Sequence, residues 1–175
     1  MNYKNIITYS TILLSVIANS SLAQAEIKTS KVCLDNNCIN APKEFNYDNC
    51  GGPEMPDMSP WGFDTNESNK TQIIPLCSKG NILNYFTYGI TTQKMDLKSQ
   101  FNLISKNREG ITYKNLGKNH FVMSGITNMD NIFYQATKKV GTNRYLTFDF
   151  QYPKKDKKKY DNYLNTLVKN FLKGV

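Results

Sequence analysis

From residue 81 onward the apolar residues fall into two rhythms, and each switch between them marks an element. "NILNYFTYGI" (81–90) is dense in aromatic and β-branched residues and predicts a strand. In "DLKSQFNLISKN" (96–107), Leu97, Phe101 and Ile104 stand at i, i+4 and i+7 behind Asp96, a good N-cap. That segment predicts an amphipathic helix, with Gly110 just past its end. "ITYKNL" (111–116), "HFVMSGIT" (120–127) and "IFYQAT" (132–137) are short apolar runs at hairpin spacings. "RYLTFDFQYP" (144–153) alternates strictly, with Leu146, Phe148, Phe150 and Tyr152 on one side and Tyr145, Thr147, Asp149 and Gln151 on the other. A half-buried strand ended by Pro153 is predicted there. The last series, Tyr160, Leu164, Leu167, Val168, Phe171 and Leu172, keeps one helical face apolar and predicts the strongest helix of the chain.

Upstream of residue 81 the pattern is broken. Pro42, Pro53, Pro56 and Pro60, with three glycines, exclude long regular elements between 42 and 62. An apolar pattern resumes only at Ile73, so 42–72 is expected to be an ordered loop. Its Trp61 and Phe63 are expected to pack on the core; a ligand contact is the less common use of a lone Trp. Before the loop, Cys33 and Cys38 flank Leu34-Asp35-Asn36-Asn37, whose Asp and Asn residues are turn formers. The predicted fold class is therefore α+β: an antiparallel β-sheet packed with two amphipathic helices, preceded by a disulfide-clipped N-terminal hairpin and a Pro/Gly-rich loop. No internal repeat interrupts it.

The first 25 residues change the picture of where the chain works. One lysine, an apolar run around Ile6 to Ala18, and Ala23 and Ala25 in an A-x-A pattern read as a signal peptide cut before Glu26. A transmembrane anchor needs roughly 20 strongly apolar residues, and this run is shorter and ends in polar residues. Residues 26–175 are then one α+β domain, divided into a disulfide-stapled region (26–80) and a sheet-and-helix core (81–175). A periplasmic or secreted location follows, with no transmembrane anchor after cleavage.

In that oxidising setting Cys33, Cys38, Cys50 and Cys77 read first as two disulfides. Zinc would want paired cysteines or histidines at ligand spacing, and His120 is the only histidine. A thioredoxin-type centre needs C-x-x-C, which is absent. Three pairings are formally open; the short clip Cys33–Cys38 across the turn is the natural one, leaving Cys50 to Cys77. Loop entropy gives the clip about 2 kcal/mol and the bridge over about 28 residues about 3.6 kcal/mol.

Read together, "ITYKNLGKNHFVMSGIT", "NIFYQATKKVGTNRYLTFDFQYP" and "YDNYLNTLVKNFL" resemble small exported bacterial proteins of unknown function. The matching residues are Ser124-Gly125, Phe133-Tyr134 and Tyr152-Pro153, within about residues 80–172. The resemblance implies a PsbP/Mog1p-like α+β fold, similar also to the bacterial DcrB group. It supplies no catalytic residues.

Motifs for catalysis are not found in the sequence. His120 opens a strand and offers a general base, though a lone histidine there is more often an edge or surface residue. Ser124 lacks the G-x-S-x-G elbow, and no P-loop, G-x-G-x-x-G or H-E-x-x-H occurs. Charge is more informative: residues 26–91 carry five lysines against eight acids, whereas 92–175 carry sixteen Lys or Arg against six acids. Lys154, Lys155, Lys157, Lys158 and Lys159 form the densest cluster. It suits an anionic envelope component or acidic protein, against the plainer reading of a solvated lysine-rich loop. Nucleic acid is not expected, because export separates the chain from it and no recognition motif accompanies the charge. Asn66 and Asn69 match glycosylation acceptors, incidental in a bacterial envelope.

These observations lead to an exported, non-enzymatic binding protein of the bacterial envelope, using neither metal nor cofactor. The alternatives are an inhibitor or immunity-type protein acting on an envelope-directed enzyme or toxin, and an enzyme acting on envelope components around His120.

Overall fold

The computed structural model of the chain describes residues 26–50 and 70–173. The expected signal peptide (1–25), Trp61, Phe63, Asn66 and Asn69 lie outside the described residues.

The first two strands, β1 (Thr29–Leu34) and β2 (Asn37–Pro42), form a separate antiparallel hairpin in which Cys33 faces Cys38. Asp35 takes a positive φ of 50° at its turn, a conformation that Asp and Asn adopt more readily than most residues. The main sheet has seven strands: β3 (Phe45–Asn46), β4 (Lys70–Ser78), β5 (Asn81–Thr92), β6 (Ile111–Leu116), β7 (His120–Ile126), β8 (Asn131–Gly141) and β9 (Arg144–Pro153). Their spatial order is β3-β4-β5-β9-β8-β7-β6, antiparallel throughout. Helix α1 (Leu97–Asn107) joins β5 to β6, and helix α2 (Lys157–Leu172) closes the chain.

Both ends of the expected loop over 42–72 carry regular structure, and residues 51–69 between them lie outside the described residues. Phe45–Asn46 pairs with β4, a 3-10 turn follows at Tyr47–Cys50, and β4 begins at Lys70 rather than Ile73. Pro75 is tolerated inside β4 because β3 reaches only Cys77 and Ser78, so that among the described residues no strand pairs with Pro75 on that side.

The two helices cover opposite faces of the sheet. On one, Tyr160, Leu164, Leu167 and Phe171 of α2 pack on Leu146, Phe148, Phe150 and Tyr152 of β9, together with Phe86 and Tyr88 of β5. Phe148 meets Phe171 edge-on at 5.0 Å between centroids, and Phe150 meets Tyr160 in the same way at 5.0 Å. On the other face, Leu97 and Ile104 of α1 pack on Phe121, Met123 and Tyr145. Asp96 caps α1 by accepting a hydrogen bond from the Ser99 backbone N–H at 2.7 Å.

Because β9 lies between β5 and β8 and both of its faces are covered, it is buried on both sides. The half-buried reading is therefore corrected: Thr147, Asp149 and Gln151 are interior residues. Gly125 has a similarly strict cause. A Cβ there would stand 2.0 Å from the carbonyl oxygen of Gly110, and one on Gly110 would stand 1.9 Å from that of Ile126. The two backbones meet where no side chain fits.

Candidate functional site

Between the β1–β2 hairpin and helix α2 lies a cavity of about 800 Å³. Its floor is the sheet, through Tyr88, Leu146 and Lys138. The hairpin supplies one wall with Lys31, Asn36, Asn37, Cys38 and Asn40. Helix α2 supplies the other, where Lys159, Asn162, Tyr163, Thr166 and Asn170 follow helical spacing beside the apolar stripe of Leu167 and Phe171. Glu26 and Ile27 also line it.

The hairpin is held in place by more than its own strands. A two-stranded ribbon is marginal by itself, yet Ile39 and Ala41 are buried in the core against α2 and the sheet. Cys33 is bonded to Cys38 across the ribbon, with Cα atoms 4.1 Å apart. The hairpin tip is paired through Asp35 with Arg144 at the start of β9. Midway, the Tyr163 hydroxyl donates to the Asn40 carbonyl at 2.7 Å. After β2, Glu44 accepts from Lys159 Nζ at 2.6 Å and from the Tyr160 hydroxyl. Burial raises the Tyr160 and Tyr163 pKa values far above the ordinary tyrosine value, and for Tyr160 the Glu44 carboxylate adds to the effect. Both hydroxyls thus stay protonated donors at neutral pH.

Lys138 reaches this site from β8. Its ammonium stands 5.0 Å from the centroid of the Phe171 ring, and partial burial lowers its pKa. Among the described residues neither Lys138 nor Lys31 has an acidic partner.

The lysine cluster is placed otherwise than the sequence suggests. Lys154–Asp156 is a 3-10 turn and Lys157, Lys158 and Lys159 form the first turn of α2, so the segment is no linker. Cations at a helix N-terminus oppose its dipole, and acids answer three of them. Lys154 pairs with Asp130 at 3.1 Å, Lys157 with Asp161 at 2.7 Å and Lys159 with Glu44. Of these five, Lys155 and Lys158 have no ion pair among the described residues. Lys159 alone of the five lines the cavity.

The second disulfide, Cys50–Cys77, joins the 3-10 turn at Tyr47–Cys50 to β4 beside Tyr85, with Cα atoms 4.9 Å apart. His120 lies at the β6–β7 turn, where its ring fills the space that a side chain on Gly117 would occupy. Its strand neighbour is Lys138, and His120 is not among the residues lining the cavity.

A buried charged group, absent from the sequence reading, lies on the α1 face. Arg108, immediately after α1, sends its guanidinium under the sheet to Asp149 of β9, with Nη2 donating to Oδ1 at 3.2 Å and Nη1 to Oδ2. Nη1 also donates to Gln135 Oε1 of β8 at 2.9 Å, and the guanidinium stacks 3.7 Å from the Phe133 ring centroid. Asp149 and Gln135 are fully buried, and the Arg108 side chain is 7% exposed. Burial, and then the Asp149 charge, push the neighbouring Tyr85 well above the ordinary tyrosine pKa. Burial opposes the charge on Arg108, and Asp149 outweighs it, so the guanidinium stays ionised. The group fixes the end of α1 to the two central strands.

Among the described residues no group of three or more His, Cys, Asp or Glu could hold a metal ion. No described helix is long and apolar enough to cross a membrane. Comparison with protein-family models, curated proteins and solved structures returned no match.

Proposed function

We propose that this chain is an exported binding protein, acting without turnover, whose ligand site is the cavity between the clipped hairpin and α2. The observation that carries the reading is the cavity's pre-formed wall. A space of about 800 Å³ falls within the roughly 300–1,000 Å³ typical of ligand sites. A hairpin tied by a disulfide, an ion pair and hydrogen bonds from α2 loses little freedom when a ligand enters.

Export is supported by the signal-peptide pattern and by two disulfides with no free cysteine among the described residues. The PsbP/Mog1p-like reading is supported by an antiparallel sheet between two helices. In it, Ser124-Gly125 and Phe133-Tyr134 lie side by side on β7 and β8.

The test is a thermal-shift panel of small envelope-derived molecules against the mature protein and Thr166→Trp, which fills the cavity from an exposed helix position. A ligand that binds only the native state raises the melting temperature by mass action. Compounds that stabilise the wild type and leave Thr166→Trp unmoved support the reading. Equal shifts in both proteins, or no shift across the panel, reject it.

A further inference from the structure

The lining of the cavity names a ligand class, an inference that rests on the cavity being the binding site. Three kinds of group meet there. Asn36, Asn37, Asn40 and Asn170, each carrying a donor and an acceptor on one planar amide, stand on facing walls. Such groups match vicinal hydroxyls, which also donate and accept. Tyr88 and Phe171, 1% and 6% exposed, close the inner side of the same space with a small apolar edge, so the contact it offers a ligand is chiefly polar.

Cationic groups complete the set. Lys31, Lys138 and Lys159 line the cavity against one acid, Glu26. Lys159 is already answered by Glu44, whereas Lys31 and Lys138 meet no acid among the described residues. Lys138 is the more telling, because it is partly withdrawn from water with its ammonium over the Phe171 ring and with no ion pair among the described residues. A partly desolvated ammonium gains most from an anion brought to it. A neutral sugar would leave that gain unused, and a purely apolar ligand would leave the asparagines unpaired.

We propose that the cavity binds an acidic saccharide, with the carboxylate of a sugar ring set against Lys138 and Lys31. Its hydroxyls meet the asparagines of the hairpin and α2. A short oligomer fits the volume, and no bond is made or broken.

Calorimetric titration of the mature protein with tri-galacturonate, and with cellotriose as the neutral counterpart, tests this. Tri-galacturonate should bind, cellotriose should bind at least tenfold more weakly, and rising salt should weaken the acidic ligand alone. Loss of one charge-assisted contact in Lys138→Gln should weaken tri-galacturonate by about tenfold. Lys31→Gln, on an exposed strand position, provides the same readout should Lys138→Gln lower the melting temperature. Equal affinity for the two sugars, or wild-type affinity in both lysine variants, overturns the acidic class. Absence of any heat with tri-galacturonate overturns it as well. If the thermal-shift panel still yields ligands that Thr166→Trp excludes, the cavity remains the site and only the ligand class fails.

Discussion

The Arg108–Asp149 pair makes the strongest energetic prediction. Both side chains are withdrawn from water, Asp149 completely, and each is the other's counter-charge. Removing one member of a buried pair leaves an uncompensated charge and costs about 3–5 kcal/mol, whereas replacing both by apolar residues is often close to neutral. Asp149→Asn and Arg108→Met should therefore each lower unfolding free energy by about 3–5 kcal/mol, a fall of roughly 6–20 °C in melting temperature for a chain of this size. The double variant Arg108→Met/Asp149→Leu should lie much nearer the wild type. Urea titrations of the four proteins give the coupling energy directly. Single-variant losses under about 1 kcal/mol, or a double-variant loss equal to the sum of the singles, would refute the assignment of the pair as a keystone between α1 and the sheet.

Other perturbations have equally definite outcomes. Replacing Cys50 and Cys77 by Ser should destabilise more than replacing Cys33 and Cys38, about 3.6 against about 2 kcal/mol by loop entropy, and equal losses in denaturant would contradict this. The Cys33→Ser/Cys38→Ser protein should instead show the larger fall in ligand-induced thermal shift, since that clip braces a cavity wall. In an alkaline titration the folded-state Tyr88 pKa is pushed up to about 12 by burial, above its unfolded value near 10. Unfolded chains therefore lose that proton first, and stability falls as pH rises from about 10 towards 12. The phenolate absorbance of Tyr88, Tyr152, Tyr160 and Tyr163 should then appear together with loss of far-ultraviolet circular dichroism; full phenolate absorbance for all tyrosines with the fold intact contradicts their burial. Lys155→Gln/Lys158→Gln should remove whatever affinity the lysine cluster has for anionic vesicles, at most about 1 kcal/mol per lysine; unchanged cosedimentation returns these two residues to a purely solvated role.

What the sequence disclosed follows from the reach of its signals. The stripe of Tyr160, Leu164, Leu167 and Phe171 is local, and so is the Asp96 cap; both elements stand where the pattern puts them. Strand alternation likewise separated Leu146, Phe148, Phe150 and Tyr152 from their neighbours. It could not reveal that the neighbours are also buried, because that depends on β9 pairing with β5, whose partner residues lie about sixty positions away. Asp149 in particular looked solvent-facing, since an Asp is rarely buried without a partner, and its partner comes from the end of α1, 41 residues earlier. The cavity was hidden for a similar reason, as its two walls come from opposite ends of the chain. One local signal was available. Asn162, Thr166 and Asn170 form a helical stripe of short amides and hydroxyls beside the apolar one, whereas a merely solvated stripe more often carries Lys and Glu.

The central claim is that the space between the clipped hairpin and α2 is where this protein binds its ligand. The most direct measurement is a heteronuclear NMR titration of the mature, disulfide-bonded protein with tri-galacturonate, following the backbone amides. The account predicts saturable shifts concentrated at Lys31, Asn40, Lys138, Asn162 and Thr166, all of them abolished in Thr166→Trp. Shifts confined to the exposed Lys155 and Lys158 turn, or spread over the α1 face around Arg108 with the cavity amides unmoved, would contradict it.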